Sequence, residues 1–173
     1  TKAANYNAVF AHHPDVDFYL YFIEKDTDIN FETGYRVEAF DYLINKLDLP
    51  AENAACFRID SFDQFKGWFY RTDHHWNAAG SLEGYRQVLA LLKPQETALV
   101  PLEEVTLKGQ LTGSKATGAL AAFSEDMTVY RYDYPEMTVT VNGAPAEDYG
   151  NQQAYLSGEG GTPTYGKFYG SDN

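Results

Sequence analysis

From Asp15 to Lys25 the stretch DVDFYLYFIEK alternates and then runs on through aromatic and β-branched residues, the pattern of a strand buried on both faces in a parallel sheet. After DTDINFET the period lengthens, and Val37, Phe40, Ile44 and Leu47 fall on one face of a helix, with Thr33 placed to cap it and Pro50 to end it. CFRID, from Cys56 to Asp60, predicts a second short strand. The most regular stripe in the chain is Ala78, Leu82, Tyr85, Leu89 and Leu92, spaced four, three, four and three apart. Asn77 suits its N-cap and Pro94 its stop. Short apolar strands alternating with helices as far as residue 93 predict an α/β layer architecture rather than a bundle or a sandwich.

Beyond Pro94 the pattern weakens. EEVTLKGQLTGSKATGALAAF holds one short strand followed by small residues, and DMTVYRYDYPEMTVTVNGAPAED reads as two strands around Tyr134 and Pro135, with a turn at Asn142 and Gly143. From Tyr149 to Asn173 glycine, tyrosine and polar residues dominate without a usable period, which predicts an irregular segment whose packing partner lies later in the natural chain. No internal repeat is present. The expected organisation is one domain over residues 1–173, a βα core in 1–93 and an irregular, strand-containing extension in 94–173.

Composition narrows the partners more than the fold. A chain of 173 residues, 44% apolar and 22% charged, suits a compact domain with a sizeable core, and its longest apolar run, FYLYFI, is strand-sized rather than membrane-spanning. A net charge of −12 with no basic stripe would repel a phosphate backbone, so nucleic acid is not an expected partner. The lone cysteine, Cys56, excludes an intrachain disulfide and a multi-cysteine metal site, and its setting suggests a small buried apolar residue. The sequence starts at Thr1 without an initiator methionine or a signal peptide and reads as a processed protein or a fragment.

The densest chemistry lies in FYRTDHHWNAAG, Phe69 to Gly80. A histidine becomes an effective general base when a carboxylate fixes its tautomer and stabilises the imidazolium. Asp73 and His75 supply that pair just ahead of a helix, where the positive end of the helix dipole disfavours imidazolium and gives the acid an electrostatic job. Two other readings stay open. Asp73 can cap a polar loop whose histidines face water, or Asp73, His74 and His75 can ligate a metal, although adjacent side chains tend to diverge and no H-x-x-x-H pair or cysteine partner accompanies them. No metal ligand is assigned on this basis.

YRTDHHWNAAG resembles the signature of the DHHW family of bacterial proteins. The opening YNAVFAHHPDVDFYLYFIEKDTDI, the approach SFDQFKGWFYRTDHHWN, the helix after it and LKGQLTGSKA follow in the order of that family, so the likeness covers nearly the whole chain. The family is similar to SGNH hydrolases and to the SGNH-like proteins that acetylate alginate and other exopolysaccharides, which carry an Asp-x-His-Trp motif. The resemblance implies an SGNH-hydrolase-like sheet with flanking helices, incomplete in this chain. It also implies roles: Asp73 as the orienting acid, His75 as the base, Trp76 as the packed aromatic and His74 at the variable position. In these relatives the nucleophilic serine follows the motif in a segment reading roughly DSF or DSY, which the resemblance puts beyond Asn173.

None of the serines present matches that segment in position. Ser61, in IDSF, lies upstream of the motif; Ser114, in TGSKA, has a lysine beside it but reads as a loop residue; Ser171 reads as a turn residue; Ser81 is inside the helix; Ser124 and Ser157 lack context. His12 and His13 read as exposed at a strand entry. Arg71 reads as a structural ion-pair partner or a group orienting substrate, and Gly170 and Asn173 as donors near an oxyanion by the same likeness. The fourteen tyrosines read as core filling ahead of a sugar-stacking surface.

The resemblance therefore implies an acyl-handling domain of a bacterial cell-envelope protein, located outside the cytoplasm: an O-acetyltransferase or acetylesterase acting on a polysaccharide or other acylated glycan. A downstream serine, deprotonated by His75, would take an acetyl group and pass it to a sugar hydroxyl or to water, with no metal or organic cofactor and with a membrane acyl-donor protein as a further partner. The alternative is a non-catalytic module on the same scaffold that binds glycan or protein.

Overall fold

The computed structural model describes residues 2–119, 123–134, 138, 140–145 and 152–169. The chain is mixed α/β, and its strands pair in four two-stranded sheets among the described residues. It divides into two compact units, residues 1–65 with 82–98 and residues 66–81 with 99–173. The Asp73 motif thus belongs with the second half of the sequence rather than with the βα core expected over 1–93.

The first unit opens with α1, Lys2–His12, a helix that buries no residue and that no apolar stripe announces. His12 ends it, its Nδ1 2.7 Å from the carbonyl of Ala8, so His12 and His13 close a helix rather than enter a strand; both are exposed. The strand expected over 15–25 shrinks to β1, Leu20–Ile23, after a turn in which the Val16 amide donates to the His13 carbonyl. A hairpin of β2, Ile29–Asn30, and β3, Tyr35–Arg36, follows. Thr33 serves that hairpin, its hydroxyl accepting from the Tyr35 amide at 3.3 Å, and caps no helix. The helix itself, α2, covers only Ala39–Ile44 and leaves Val37 and Leu47 outside.

β1 pairs in parallel with β4, Ala54–Phe57, in the register Leu20↔Ala54 to Ile23↔Phe57. The parallel pairing agrees with the apolar pattern, but burial on both faces does not occur: Ile23 stays 43% exposed. β4 stops short of Asp60 because the Ile59 backbone turns to other partners. Its amide donates to Glu24 Oε2 at 2.8 Å and its carbonyl accepts from Arg36 at 2.9 Å, while Arg36 and the buried Glu24 form an ion pair. Phe57 and Ile59 are wholly buried, and burial of each such side chain contributes about 1.5–3 kcal/mol. Cys56 is half-buried rather than buried, and its surroundings push the thiol pKa up to about 11.

The chain passes between the units within α3, Phe62–Trp68, and within α4, Ala78–Leu92. α4 has the extent its stripe predicts, and Asn77 caps it, its Oδ1 accepting from the Gly80 amide at 3.0 Å. Ala78 is buried, whereas Tyr85 in the middle of the stripe and Leu92 at its end are exposed.

In the second unit β5, Glu103–Leu111, runs antiparallel to β6, Glu125–Arg131, with an irregularity between Thr106 and Gln110 where Gly109 takes a φ of +90°. Leu107, Leu111, Met127 and Val129 form its core with Tyr70, Tyr155 and Phe168. The small-residue stretch after β5 winds into α5, Ser114–Gly118. β7, Thr140–Val141, and β8, Ala144–Pro145, enclose the predicted turn, where Asn142 and Gly143 take φ values of 53° and 81°. The segment expected to be irregular contains two short helices, α6, Gln152–Ser157, and α7, Tyr165–Tyr169, which supply Tyr155 and Phe168 to the core. Pro135 lies outside the described residues. Among the described residues no helix is long and apolar enough to cross a membrane.

Candidate active site

The DHH segment is a tight loop closed at its base. Phe69 and Trp76 form an antiparallel bridge, the Tyr70 amide donates to the His75 carbonyl at 3.2 Å, and the Asn77 amide donates to the Trp68 carbonyl at 2.9 Å. Trp76, half-buried, therefore serves the neck of the loop.

Two elements fix the loop backbone. Glu125, at the start of β6, accepts from the Thr72 amide at 2.6 Å, the Thr72 hydroxyl at 2.7 Å and the Arg71 amide at 3.1 Å. At the start of α5, the amides of Lys115 and Ala116 donate to the Thr72 carbonyl at 2.9 and 3.1 Å, and the Gly113 amide to the Thr72 hydroxyl at 3.2 Å. Thr72 is wholly buried, so each bond made by its own amide, hydroxyl and carbonyl satisfies a group cut off from water. Residue 113 must be glycine for this approach, because a Cβ there would lie 2.4 Å from both the Asp73 Cβ and the Thr72 carbonyl oxygen. Arg71 keeps its guanidinium largely in solvent, 3.9 Å from the Glu125 carboxylate.

Asp73 is 5% exposed, and donors crowd one of its oxygens. Oδ1 accepts from the His74 amide at 2.7 Å and from the Ser114 hydroxyl at 2.9 Å, and faces His74 Nδ1 at 3.0 Å and His75 Nδ1 at 3.2 Å. Burial pushes the carboxyl pKa up, but the Ser114 hydroxyl, the His74 amide and the neighbouring His75 outweigh it and hold the group below its ordinary value. Asp73 is thus an anion in a nearly closed setting.

The two histidines occupy different environments. His74 is 62% exposed at its side chain, with Nδ1 also 2.8 Å from Ser114 Oγ. His75 is 17% exposed, its ring stacked on Tyr165 at 3.9 Å and 5° on one side and 3.9 Å from the His74 ring on the other. His75 Nδ1 is buried and makes no hydrogen bond, so its 3.2 Å contact with Asp73 Oδ1 is electrostatic.

Three readings of the sequence meet this geometry. Asp73 does bind the turn, as a capping residue would, and His74 does face water, yet His75 is clamped rather than solvated. The expected divergence of adjacent side chains does not occur, because one ligating atom from each of Asp73, His74 and His75 lies within 4.8 Å of the others. Ser114, read as a loop residue, is bonded to the acid of the motif, and Tyr165, one tyrosine among fourteen, packs against its histidine. Neither signal is local: Ser114 lies 41 residues from Asp73 in the chain.

Ser114 does not complete a proton relay with His74 as the site stands. In such a relay the acid and the nucleophile address opposite ring nitrogens. Here Asp73 and Ser114 both address Nδ1 of His74. His75, by contrast, turns Nδ1 to the acid, which leaves Nε2 on the far edge of its ring. Three other serines are engaged elsewhere: Ser61 Oγ accepts from the Gln64 amide at 3.1 Å, Ser124 donates to Gln110 at 3.3 Å and Ser157 to the Ala154 carbonyl at 3.0 Å, while Ser81 lies within α4. Gly170, Ser171 and Asn173 lie outside the described residues. Comparison of the chain with protein-family models, with curated proteins and with solved structures finds no match.

Proposed function

We propose that this chain carries the acid and base of a serine-dependent acyl-transfer site, serving an O-acetyltransferase or acetylesterase that acts on a polysaccharide of the bacterial cell envelope. One observation carries the reading: the His75 ring is held between Tyr165 and His74 with Nδ1 toward a buried, ionised Asp73. That is half of a triad, with Nε2 left for a nucleophile. A small rotation of the ring within its stack would complete the Asp73 hydrogen bond, and such bonds commonly tighten only when substrate is present. Ser114 and the His74 amide act as positioning groups that keep the Asp73 carboxylate aimed and charged.

The nucleophile is a serine beyond Asn173, as the likeness to SGNH-like proteins implies. In the mechanism, His75 Nε2 takes the proton of that serine as its oxygen attacks the acetyl carbonyl, and returns it to the departing oxygen. A sugar hydroxyl or water then repeats the attack on the acyl-enzyme. A base of this kind supplies roughly two to four orders of magnitude in rate.

The test is fluorophosphonate labelling of the protein extended through its natural C-terminal sequence, with the modified peptide mapped by mass spectrometry and His75→Ala run alongside. Label on one serine beyond Asn173 that is lost in the variant is the expected result. Label on Ser114 would instead place the nucleophile on α5, and no label in either protein would favour the glycan- or protein-binding module.

A further inference from the structure

We propose that Asp73, His74 and His75 bind a divalent transition-metal ion, with zinc the best fit, and that the bound ion silences the site. The silencing rests on the acyl-transfer reading above; the binding does not.

Asp73 Oδ1 lies 3.0 Å from His74 Nδ1 and 3.2 Å from His75 Nδ1, and one ligating atom from each of the three residues falls within 4.8 Å of the others. Tetrahedral zinc with bonds of about 2.0–2.1 Å holds its ligand atoms about 3.3 Å apart. Two of the three edges of such a site are therefore already near their final length, and the third needs only a movement of the exposed His74 ring.

The state of one of these ligand atoms also favours a cation. His75 Nδ1 is buried without a hydrogen bond, although it faces a carboxylate. A buried polar atom left in that condition is costly, and a metal ion bound between it and Asp73 would remove the cost by ligating both. The Ser114 hydroxyl, 2.9 Å from Asp73 Oδ1 and 2.8 Å from His74 Nδ1, stands where a fourth ligand or its supporting hydrogen bond belongs. Backbone bonds to Thr72 and the stack on Tyr165 hold the ligands before any ion arrives, which lowers the ordering cost of binding. His74, at 62% exposure, leaves an entry path.

The donor set selects the ion. Two imidazole nitrogens and one carboxylate oxygen suit zinc, and copper or nickel after it, whereas magnesium and calcium require a shell of six or more oxygens. Occupation would take the atoms that pair His75 with its acid. His75 would then lose the electrostatic partner that makes it a base, and Asp73 would be neutralised by the metal.

The probe is zinc chloride, titrated calorimetrically into the chelator-stripped chain, with circular dichroism as the folding control. One ion per chain is expected, with binding weakened roughly tenfold or more in His74→Ala and in His75→Ala. The double variant His12→Ala, His13→Ala should bind as the parent does. If His75→Ala fails to fold, His74→Ala decides, since its ring is exposed. Cobalt in place of zinc should give the strong visible bands of a four-coordinate site. Absence of saturable binding, or binding indifferent to His74 and His75, overturns the proposal.

Silencing is read on the extended protein, where zinc should slow serine labelling about tenfold or more and EDTA should restore it. Zinc bound with labelling undiminished overturns the silencing alone. Labelling present with no zinc bound overturns the metal site alone, and zinc bound to a protein that never labels leaves the metal site standing while the acyl-transfer reading falls.

Discussion

Asp73 ties the site to pH. Its pKa is held below that of an unfolded aspartate, about 3.9, so the stabilisation it brings is complete above that value and is lost as pH falls through the lower folded-state value. Urea midpoints measured from pH 5 downward should therefore fall more steeply for the parent than for Asp73→Asn, which has no carboxyl to titrate. Parallel curves would mean that the hydrogen bonds around Asp73 do not favour its ionised form. The pairing of Asp73 with His75 was legible in four consecutive letters, because a carboxylate two residues from an imidazole can reach it. Its supports were not. Ser114 reaches Asp73 across 41 residues and Glu125 reaches Thr72 across 53, and nothing in the local composition of TGSKA or FSED distinguishes a site residue from a loop residue.

At the scale of elements, the chain was legible where local rules suffice. α4 runs over the 15 residues its stripe spans, with the predicted asparagine as its cap and a proline beyond its end, although Tyr85 and Leu92 of the stripe stay exposed. Asn77→Ala should cost about 1 kcal/mol of stability through the lost cap, read as a shift in denaturant midpoint at unchanged slope. A neutral substitution would mean that the bridge at Phe69 and Trp76 already fixes the helix start. Short helices were not legible. α6 and α7, of 6 and 5 residues, are too brief to nucleate alone and exist because Tyr155 and Phe168 are drawn into the core beside β5 and β6. β5 was underestimated for a related reason. Its exposed positions are polar and only Leu107 and Leu111 are buried, so no continuous apolar run announces its nine residues.

The whole molecule departs most from a reading along the chain. A change of character at Pro94 lies close to the passage at Ala98 and Leu99, but the stretch 66–81 joins the second unit across the intervening segment 82–98. Such interleaving is a matter of long-range contacts, which periodicity cannot report. The motif consequently sits on a core built from β5, β6 and Tyr70 rather than on the parallel pair β1 and β4 that the pattern brought forward.

That division gives Cys56 an unexpected use. It is the sole thiol in 173 residues, it lies on β4 in the first unit, and with a pKa near 11 it is almost entirely protonated at neutral pH, whereas an exposed cysteine titrates near about 8.5. Alkylating reagents attack the thiolate, so the native chain should react slowly and a chain whose first unit has opened should react at the ordinary rate. The protein thus contains a chemical clock for one of its two units, and comparing its pace with the state of the Asp73 loop would tell whether the two open together or apart.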